Sequence, residues 1–407
     1  MPMIYDVLVF GGGAAGIFAA IAAKNANPSA NIALFEKSAV LLSKVRISGG
    51  GRCNVTHSCF DPKELVLNYP RGGRELLGPF HRFQPLQTIE WFESKGVKLK
   101  TEPDGRMFPV TDRSETIIDC LLSEAKRIGV EIVLRKRTEK IEKKEDLFAV
   151  TLKEGDTCYT KKLLLATGSS EEGHRFAQNF GHNIENPVPS LFTFNIPSSH
   201  LRELSGISVD PVQIKIMGTS LSQVGPLLIT HFGFSGPAAL KLSAWGARYF
   251  YEKNYHVTIQ ISWLPNFSKQ QILEQLLKLK NTSPTKILFS ENLFRFPKSL
   301  WKTFLDIYGE TFKKPMGNAS LKDLQTLCDM LHSDLYQVEG KTTNKEEFVT
   351  CGGVSLKEVD FKTMESKLCK GLFFAGEILD IDGVTGGFNF QNAWTTGYIA
   401  GTSAAIS

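Results

Sequence analysis

The segment Gly11-Gly-Gly-Ala-Ala-Gly16 constrains this chain more than any other feature. It follows an apolar run, Ile4 to Phe10, and opens a run of small residues with helical character, Ala14 to Ala26. A second apolar run, Ile32 to Phe35, ends in Glu36, twenty residues after Gly16. Strand, glycine turn, helix, strand and acid in that order are the signature of a dinucleotide-binding βαβ unit. Gly11 allows the tight turn, Gly13 lets a pyrophosphate approach the backbone, and Gly16 lets the helix pack on the sheet. The helix N-terminus then offers free N–H groups and a partial positive charge to the phosphates. Glu36 is placed to accept hydrogen bonds from the adenosine ribose.

A chain of 407 residues is long enough for two or three domains. With 42% hydrophobic and 22% charged residues it has the balance of a soluble globular protein, and no apolar run is long enough for a membrane span. No basic residue precedes the first apolar stretch, so no signal peptide is expected. Seven cysteines, an odd number without a C-x-x-C pair, point to reduced thiols and a cytoplasmic location. No His/Cys cluster has metal-ligand spacing, so no metal is expected.

Periodicity predicts helices over Leu86–Lys95 and Ser114–Ile128, and strands at Glu131–Leu134, Phe148–Leu152 and Lys162–Ala166. Ser43 to Thr56 reads as a long polar, glycine-rich loop. From Pro187 to Trp263 apolar alternation with prolines and glycines suggests β structure, and from Ser268 to Tyr336 the pattern is helical. The last sixty residues return to strand, glycine turn and helix. The expected architecture is α/β. Residues 1–189 and 350–407 form a Rossmann-type dinucleotide domain that is discontinuous in sequence. Residues 190–349 are inserted, mainly β over 190–265 and mainly helical over 266–349.

Two further glycine-rich blocks carry chemistry. Ser48-Gly-Gly-Gly-Arg-Cys-Asn54 leaves the backbone free to wrap a flat or charged ligand, with Arg52 adding charge and Asn54 a donor and an acceptor. Gly376-Glu377 follows an apolar strand, and Gly386-Gly387-Phe388-Asn389 precedes a helix. A glycine-rich helix N-terminus there can hold the negative charge that develops on a reduced flavin, which favours FAD over NAD as the resident ligand.

With these blocks in order, the chain resembles the BaiN/YhiN-type flavoproteins, a bacterial family with a glutathione-reductase-like FAD domain and an inserted domain. Further matching blocks are Gly105-Arg-Met-Phe-Pro109, Thr230-His-Phe-Gly-Phe-Ser-Gly-Pro237, Thr350-Cys-Gly-Gly-Val354 and Lys357-Glu-Val-Asp360. The resemblance places Gly11, Gly13, Ala14, Ala15, Gly16, Glu36 and Lys37 at the adenosine diphosphate, and Lys44, Gly51, Arg52, Cys53 and Asn54 beside the pyrophosphate and flavin. It places Ala166, Thr167 and Gly168 on a turn passing the cofactor, Thr138 near the adenine, and Gly376, Glu377, Gly387, Phe388 and Asn389 at the flavin end. Leu42-Ser43 stand where the family usually has Gly-Arg.

The family is linked to reduction of carbon–carbon double bonds, including dihydrouridine formation in 23S ribosomal RNA and a step in bile-acid dehydroxylation. Such a reduction needs an acid within hydrogen-bonding reach of the ring. Cys53 and His231 are the sequence candidates, each with an equally good structural reading. One dinucleotide fingerprint implies that NAD(P)H visits as a transient reductant. A small-molecule ene-reductase or oxidase and a non-catalytic FAD-binding regulator are the alternative functions. Between Lys269 and Lys314 lie nine Lys or Arg against four acids, an excess equal to the +5 net charge of the whole chain. Aromatics interleave there, as in Phe294-Arg-Phe-Pro-Lys298 and Trp301-Lys-Thr-Phe304. A ribosomal RNA partner could use such a face. A solvated helical surface with its aromatics in the core explains the same pattern, and composition alone favours it.

Overall fold

The computed structural model describes residues 4–342 and 349–407. The chain divides into two compact units, Met1–Pro189 with Lys345–Ser407, and Ser190–Asn344.

In the first unit, β1 (Ile4–Phe10) pairs in parallel with β2 (Ile32–Phe35) on one side and with strand Thr157–Leu165 on the other. Strand Glu131–Val133 extends the parallel sheet beyond β2, and Leu372–Phe374 extends it beyond Thr157–Leu165. The order is that of a Rossmann sheet with β1 at its centre. A meander of Thr138–Lys144 and Leu147–Leu152 joins Thr157–Leu165 in antiparallel register. Helix α1 (Ala14–Ala26) is buried at every position from Ala15 to Ala23, so it carries no polar face.

The C-terminal helix Phe388–Ile406 packs on α1 through small residues. A Cβ at Gly397 would lie 2.7 Å from the Ala15 carbonyl oxygen, and one at Gly401 would lie 2.0 Å from that of Ala19. Buried polar groups fix the rotation of this helix. Gln391 Oε1 accepts from Thr56 Oγ1 (2.6 Å) and Thr88 Oγ1 (2.9 Å), and Trp394 Nε1 donates to Val55 O (2.9 Å).

Two expectations for the first unit need correction. Ser43–Thr56 is not a continuous loop: α2 (Ser43–Gly51) opens with a helical turn that buries Val45 and is kinked at Ser48–Gly50. Glycine content hid that turn. The strand Thr138–Lys144 was not expected: five of its seven residues are charged, and only Thr138 and Ile141, three apart across a bulge, are buried.

The second unit is a seven-stranded antiparallel sheet in the order Asp334–Glu339, His256–Ser262, Ser208–Ile216, Ser222–Ile229, Gly233–Ser235, Thr193–Asn195, Lys341–Thr342. The stretch expected to be β contains helices Gly236–Trp245 and Ala247–Glu252, started by Gly236 and by Pro237 in the first turn. The stretch expected to be helical holds helices Lys269–Thr282, Lys298–Asp306 and Leu321–Ser333 but ends in strands. Residues 343–348 of that stretch lie outside the described residues.

The aromatics between Lys269 and Lys314 turn inward. Phe296, Trp301 and Phe304 are buried in the core with Trp263, and Phe294 packs against them. They are not stacking surfaces for bases. Three of the cations are ion-paired: Lys269 with Asp329, Lys286 with Glu291, and Lys313 with Asp306 and Glu310.

The α1 contact generates a prediction. Gly401→Val drives a branched side chain into the Ala19 backbone, and overpacking of that kind costs about 1–3 kcal/mol. The expected result is a lower urea midpoint by far-UV circular dichroism. An unchanged midpoint would mean that the two helices can move apart freely.

Candidate functional site

The β1–α1 turn forms one end of a cradle. Gly11 takes a left-handed φ of 108°, and a Cβ there would sit 2.4 Å from Ala166 O. At Gly16 a Cβ would sit 1.9 Å from Gly11 O, so the helix rests directly on its own turn. At Gly13, by contrast, nothing lies within 4 Å of a built Cβ. The helix N-terminus has no side-chain cap and no acid in its first turn, so its N–H groups face open space. Glu36 Oε2 accepts from Gly12 N (2.7 Å) and Oε1 from Ser38 N (2.8 Å). These bonds fix the carboxylate and leave lone pairs for ribose hydroxyls. Thr138 is buried with its Oγ1 unpartnered, on a strand that begins just after Lys136 N–H bonds Glu36 O (2.9 Å). Lys37 is exposed and pairs with Glu172 at 3.5 Å.

The middle of the cradle comes from the ends of two parallel strands. Ala166 N–H donates to Phe10 O (2.8 Å), carrying Thr167 and Gly168 (φ 61°) past the turn. Gly376 packs on Ala15, where a Cβ would lie 2.7 Å from the alanine Cβ. Glu377 Oε1 accepts from Thr350 N (3.1 Å), and Oε2 from Lys44 Nζ (2.5 Å). Thr167 Oγ1, His174 Nε2 and Thr350 Oγ1 are buried without partners. Burial holds the His174 imidazole below its ordinary pKa, against the pull of Glu377 and Glu171. Leu42 is left-handed (φ 55°) and buried. Burial of its side chain offsets part of a strain that glycine would not carry.

The other end is the Ser48–Asn54 loop against the C-terminal helix. Gly49, Gly50 and Gly51 all have left-handed φ, at 59°, 69° and 84°, and a Cβ at Gly50 or Gly51 meets open space. Asn54, with its amide oriented to satisfy both partners, donates to Thr56 O (3.1 Å) and accepts from Gly387 N (2.9 Å). A Cβ at Gly387 would lie 2.6 Å from Thr56 O, so this approach requires glycine. Phe388 is buried and stacks on His57 at 4.7 Å between ring centroids. Asn389 clasps Gly383, accepting from its N–H (2.8 Å) and donating to its carbonyl (2.9 Å). The helix that starts at Phe388 has no acid in its first turn.

Arg52 and Cys53 sit in different surroundings. Arg52 does not point a free charge at the cradle: Nη1 meets Glu102 Oε1 at 2.6 Å and the guanidinium lies 4.0 Å over the Phe108 ring. Phe108 offers a flat apolar surface and Glu102 a nearby charge, so the arginine is a strut of its loop. Cys53 is fully buried, and burial pushes its thiol up to about 12. Enclosed by its own loop, this thiol stays protonated at neutral pH. His231 lies in the second unit, exposed at the tip between strands Ser222–Ile229 and Gly233–Ser235, with its carbonyl accepting from Arg202 Nε (2.7 Å). Lys44, Thr350 and His174 around Glu377 share no local pattern. Only folding unites them.

An open glycine turn, an uncapped helix N-terminus and a fixed acid at the end of β2 suit the two halves of a dinucleotide with a flavin. They define a Rossmann-type, FAD-dependent oxidoreductase. The chain belongs to the HI0933-like protein Rossmann domain family, matched over residues 5–403. It is 29% identical to a ribosomal RNA dihydrouridine synthase of Haemophilus influenzae, with 99% of each chain covered. It is 27% identical to a 3-dehydro-bile acid delta(4,6)-reductase of Clostridium scindens, with 98% of each covered. Among solved structures, a 3-ketosteroid-delta4-(5alpha)-dehydrogenase of Rhodococcus jostii shares the fold, with a TM-score of 0.53 and 13% identity over 100% of this chain and 97% of that one. Among the described residues no helix is long and apolar enough to cross a membrane.

The contrast between two glycines is testable. Gly13→Val has room in the fold but fills the space a pyrophosphate needs, so the protein folds and purifies colourless. Gly11→Val collides with backbone at a left-handed φ and fails to fold. A yellow Gly13→Val protein would refute this assignment of the turn. Cys53 in the native protein stays unlabelled by a thiol-disulfide reagent at pH 8 and reacts after denaturation; rapid native labelling would show that its loop opens.

Proposed function

We propose that this oxidoreductase uses NAD(P)H to reduce a carbon–carbon double bond conjugated to a carbonyl, with uridine in 23S ribosomal RNA as candidate substrate. The supporting observation is the turn at Gly386–Gly387, which presents a helix N-terminus with no side-chain cap and no first-turn acid at the cradle's end. Such a terminus stabilises negative charge on the carbonyl edge of a reduced ring. FAD, when bound, supplies the hydride-transfer chemistry. The α1 N-terminus holds the pyrophosphate, Glu36 orients the ribose, and the Ser48–Asn54 loop keeps water from the ring. Cys53 and His231 are the side chains proposed to protonate the substrate.

The names of the two relatives support the reaction class, since each denotes hydrogen added across ring double bonds. Lys278, Lys298, Lys302 and Lys314 remain exposed and would meet RNA phosphates. A small-molecule enone reductase is the second reading. It is favoured by the burial of Phe296, Trp301 and Phe304, which removes the stacking residues an RNA face would use.

Ribosomal RNA from cells with and without the gene separates the readings. Loss of one dihydrouridine by mass spectrometry supports the RNA substrate, and Lys298→Glu with Lys302→Glu should then weaken RNA binding without altering the flavin spectrum. Binding should fall with salt at a log–log slope of roughly −0.7 per phosphate contact on single strands. Unchanged dihydrouridine together with turnover of a conjugated cyclic enone supports the second reading. Failure to reduce either substrate with NADH or NADPH overturns both.

A further inference from the structure

The ion pair between Lys44 and Glu377 joins two residues that stand on opposite flanks of the α1 N-terminus. On one flank, Leu42 N–H donates to Gly12 O (2.8 Å), which seats the start of α2 beside the glycine turn and sets Lys44 at its rim. On the other, Gly376 packs on Ala15, which sets Glu377 beside the first turn of the same helix. The ammonium and carboxylate meet at 2.5 Å. The pair therefore links the segments that flank the α1 N-terminus, the start of α2 and the Gly376 turn.

The other cations of the rim are also committed to carboxylates. Lys37 pairs with Glu172, Arg46 with Glu115 and Arg52 with Glu102. Those partners do not flank the α1 N-terminus on both sides, so their pairs can persist with a dinucleotide in place. A pyrophosphate on the N-terminus would compete with Glu377 for the Lys44 ammonium, because this pair joins the two flanks of that N-terminus. Its side chain is 49% exposed, and that of Glu377 is 21% exposed. Such a pair is weak and screened, so a dianionic pyrophosphate competes for the lysine successfully. Once released, Glu377 does not lose all its partners: Thr350 N–H still holds Oε1 at 3.1 Å. The buried hydroxyls of Thr167 and Thr350 and Nε2 of His174 also lack partners.

We propose that Lys44–Glu377 is an exchangeable latch over the cofactor cradle: closed in the FAD-free protein, and opened when Lys44 changes partner from Glu377 to the entering pyrophosphate. The proposal rests on the FAD assignment of the cradle. It assigns Lys44 two successive partners and makes Glu377 a brake on cofactor entry as well as a polar group of the bound state.

The test is the rate and affinity of FAD binding to FAD-stripped protein, read by quenching of flavin fluorescence. Glu377→Gln removes the brake and leaves the lysine, so FAD should associate faster, by roughly 2- to 5-fold, the range that an exposed ion pair can supply. Lys44→Met removes the phosphate partner as well as the latch, so FAD should bind more weakly and with a shallower salt dependence. Combining the two changes should show coupling in thermal midpoints of the FAD-free protein and none in the FAD-bound protein. Lys44→Gln gives a second route if the methionine variant does not fold. An association rate for Glu377→Gln equal to or below wild type, or coupling that survives in the bound form, overturns the latch but leaves the FAD assignment intact. If stripped wild-type protein takes up no FAD, both fall.

Discussion

The structure depends on one close approach: α1 is wedged between the parallel sheet and the C-terminal helix with almost no side chain in between. Gly16 seats it on the turn, and Gly397 and Gly401 let the C-terminal helix touch the backbone at Ala15 and Ala19. A helix buried on all sides must find its polar partners at its ends. The uncapped N-terminus of α1 then becomes the one part of this helix with unmet hydrogen-bonding capacity facing open space. The cradle follows from that constraint, because the strands beside β1 deliver Thr167-Gly168 and Gly376-Glu377 to the same edge.

The C-terminal helix has the same logic in a more polar form. Its first turn is tied down by Asn54, Tyr69, Asn389 and the Gln391 network, all acting within a few residues of Gly387. A buried network with its partners satisfied stiffens the segment it joins. The helix N-terminus at the flavin end is thereby held in place before any ligand arrives. Preorganised charge of this kind acts without reorganisation during the reaction. Electrostatics on the rim runs the opposite way: its cations pair with carboxylates that stay partly open to solvent, and such pairs are weak enough to exchange.

The second unit shows how composition can mislead. A local excess of positive charge interleaved with aromatics resembles a nucleic-acid face, yet Phe296, Trp301 and Phe304 pack with Trp263 under the sheet, and Lys286 and Lys313 find acids in the same stretch. Charge spacing is visible in a sequence. The direction of a ring is not, because helix Lys298–Asp306 presents both faces to the reader and only one to the core. The fold itself leaves substrate choice open, since flavoprotein scaffolds of this kind host many reactions.

By itself the sequence determined the βαβ unit. The glycine turn, the small-residue helix and Glu36 obey short spacings set by strand rise, helix pitch and the width of a pyrophosphate, so local chemistry is enough to read them. It also determined helices such as Ser114–Arg127 and Pro85–Ser94, whose apolar periodicity is strong, to within a residue or so at either end. Tertiary structure decided the rest. Cys53 and Arg52 stand in a loop that looks built for a ligand, and packing turned one into the interior and the other onto Phe108 and Glu102. The pairing of Lys44 with Glu377 spans 333 positions of chain. No local pattern encodes such a contact; it exists because sheet order brings the end of one strand beside the turn that follows another.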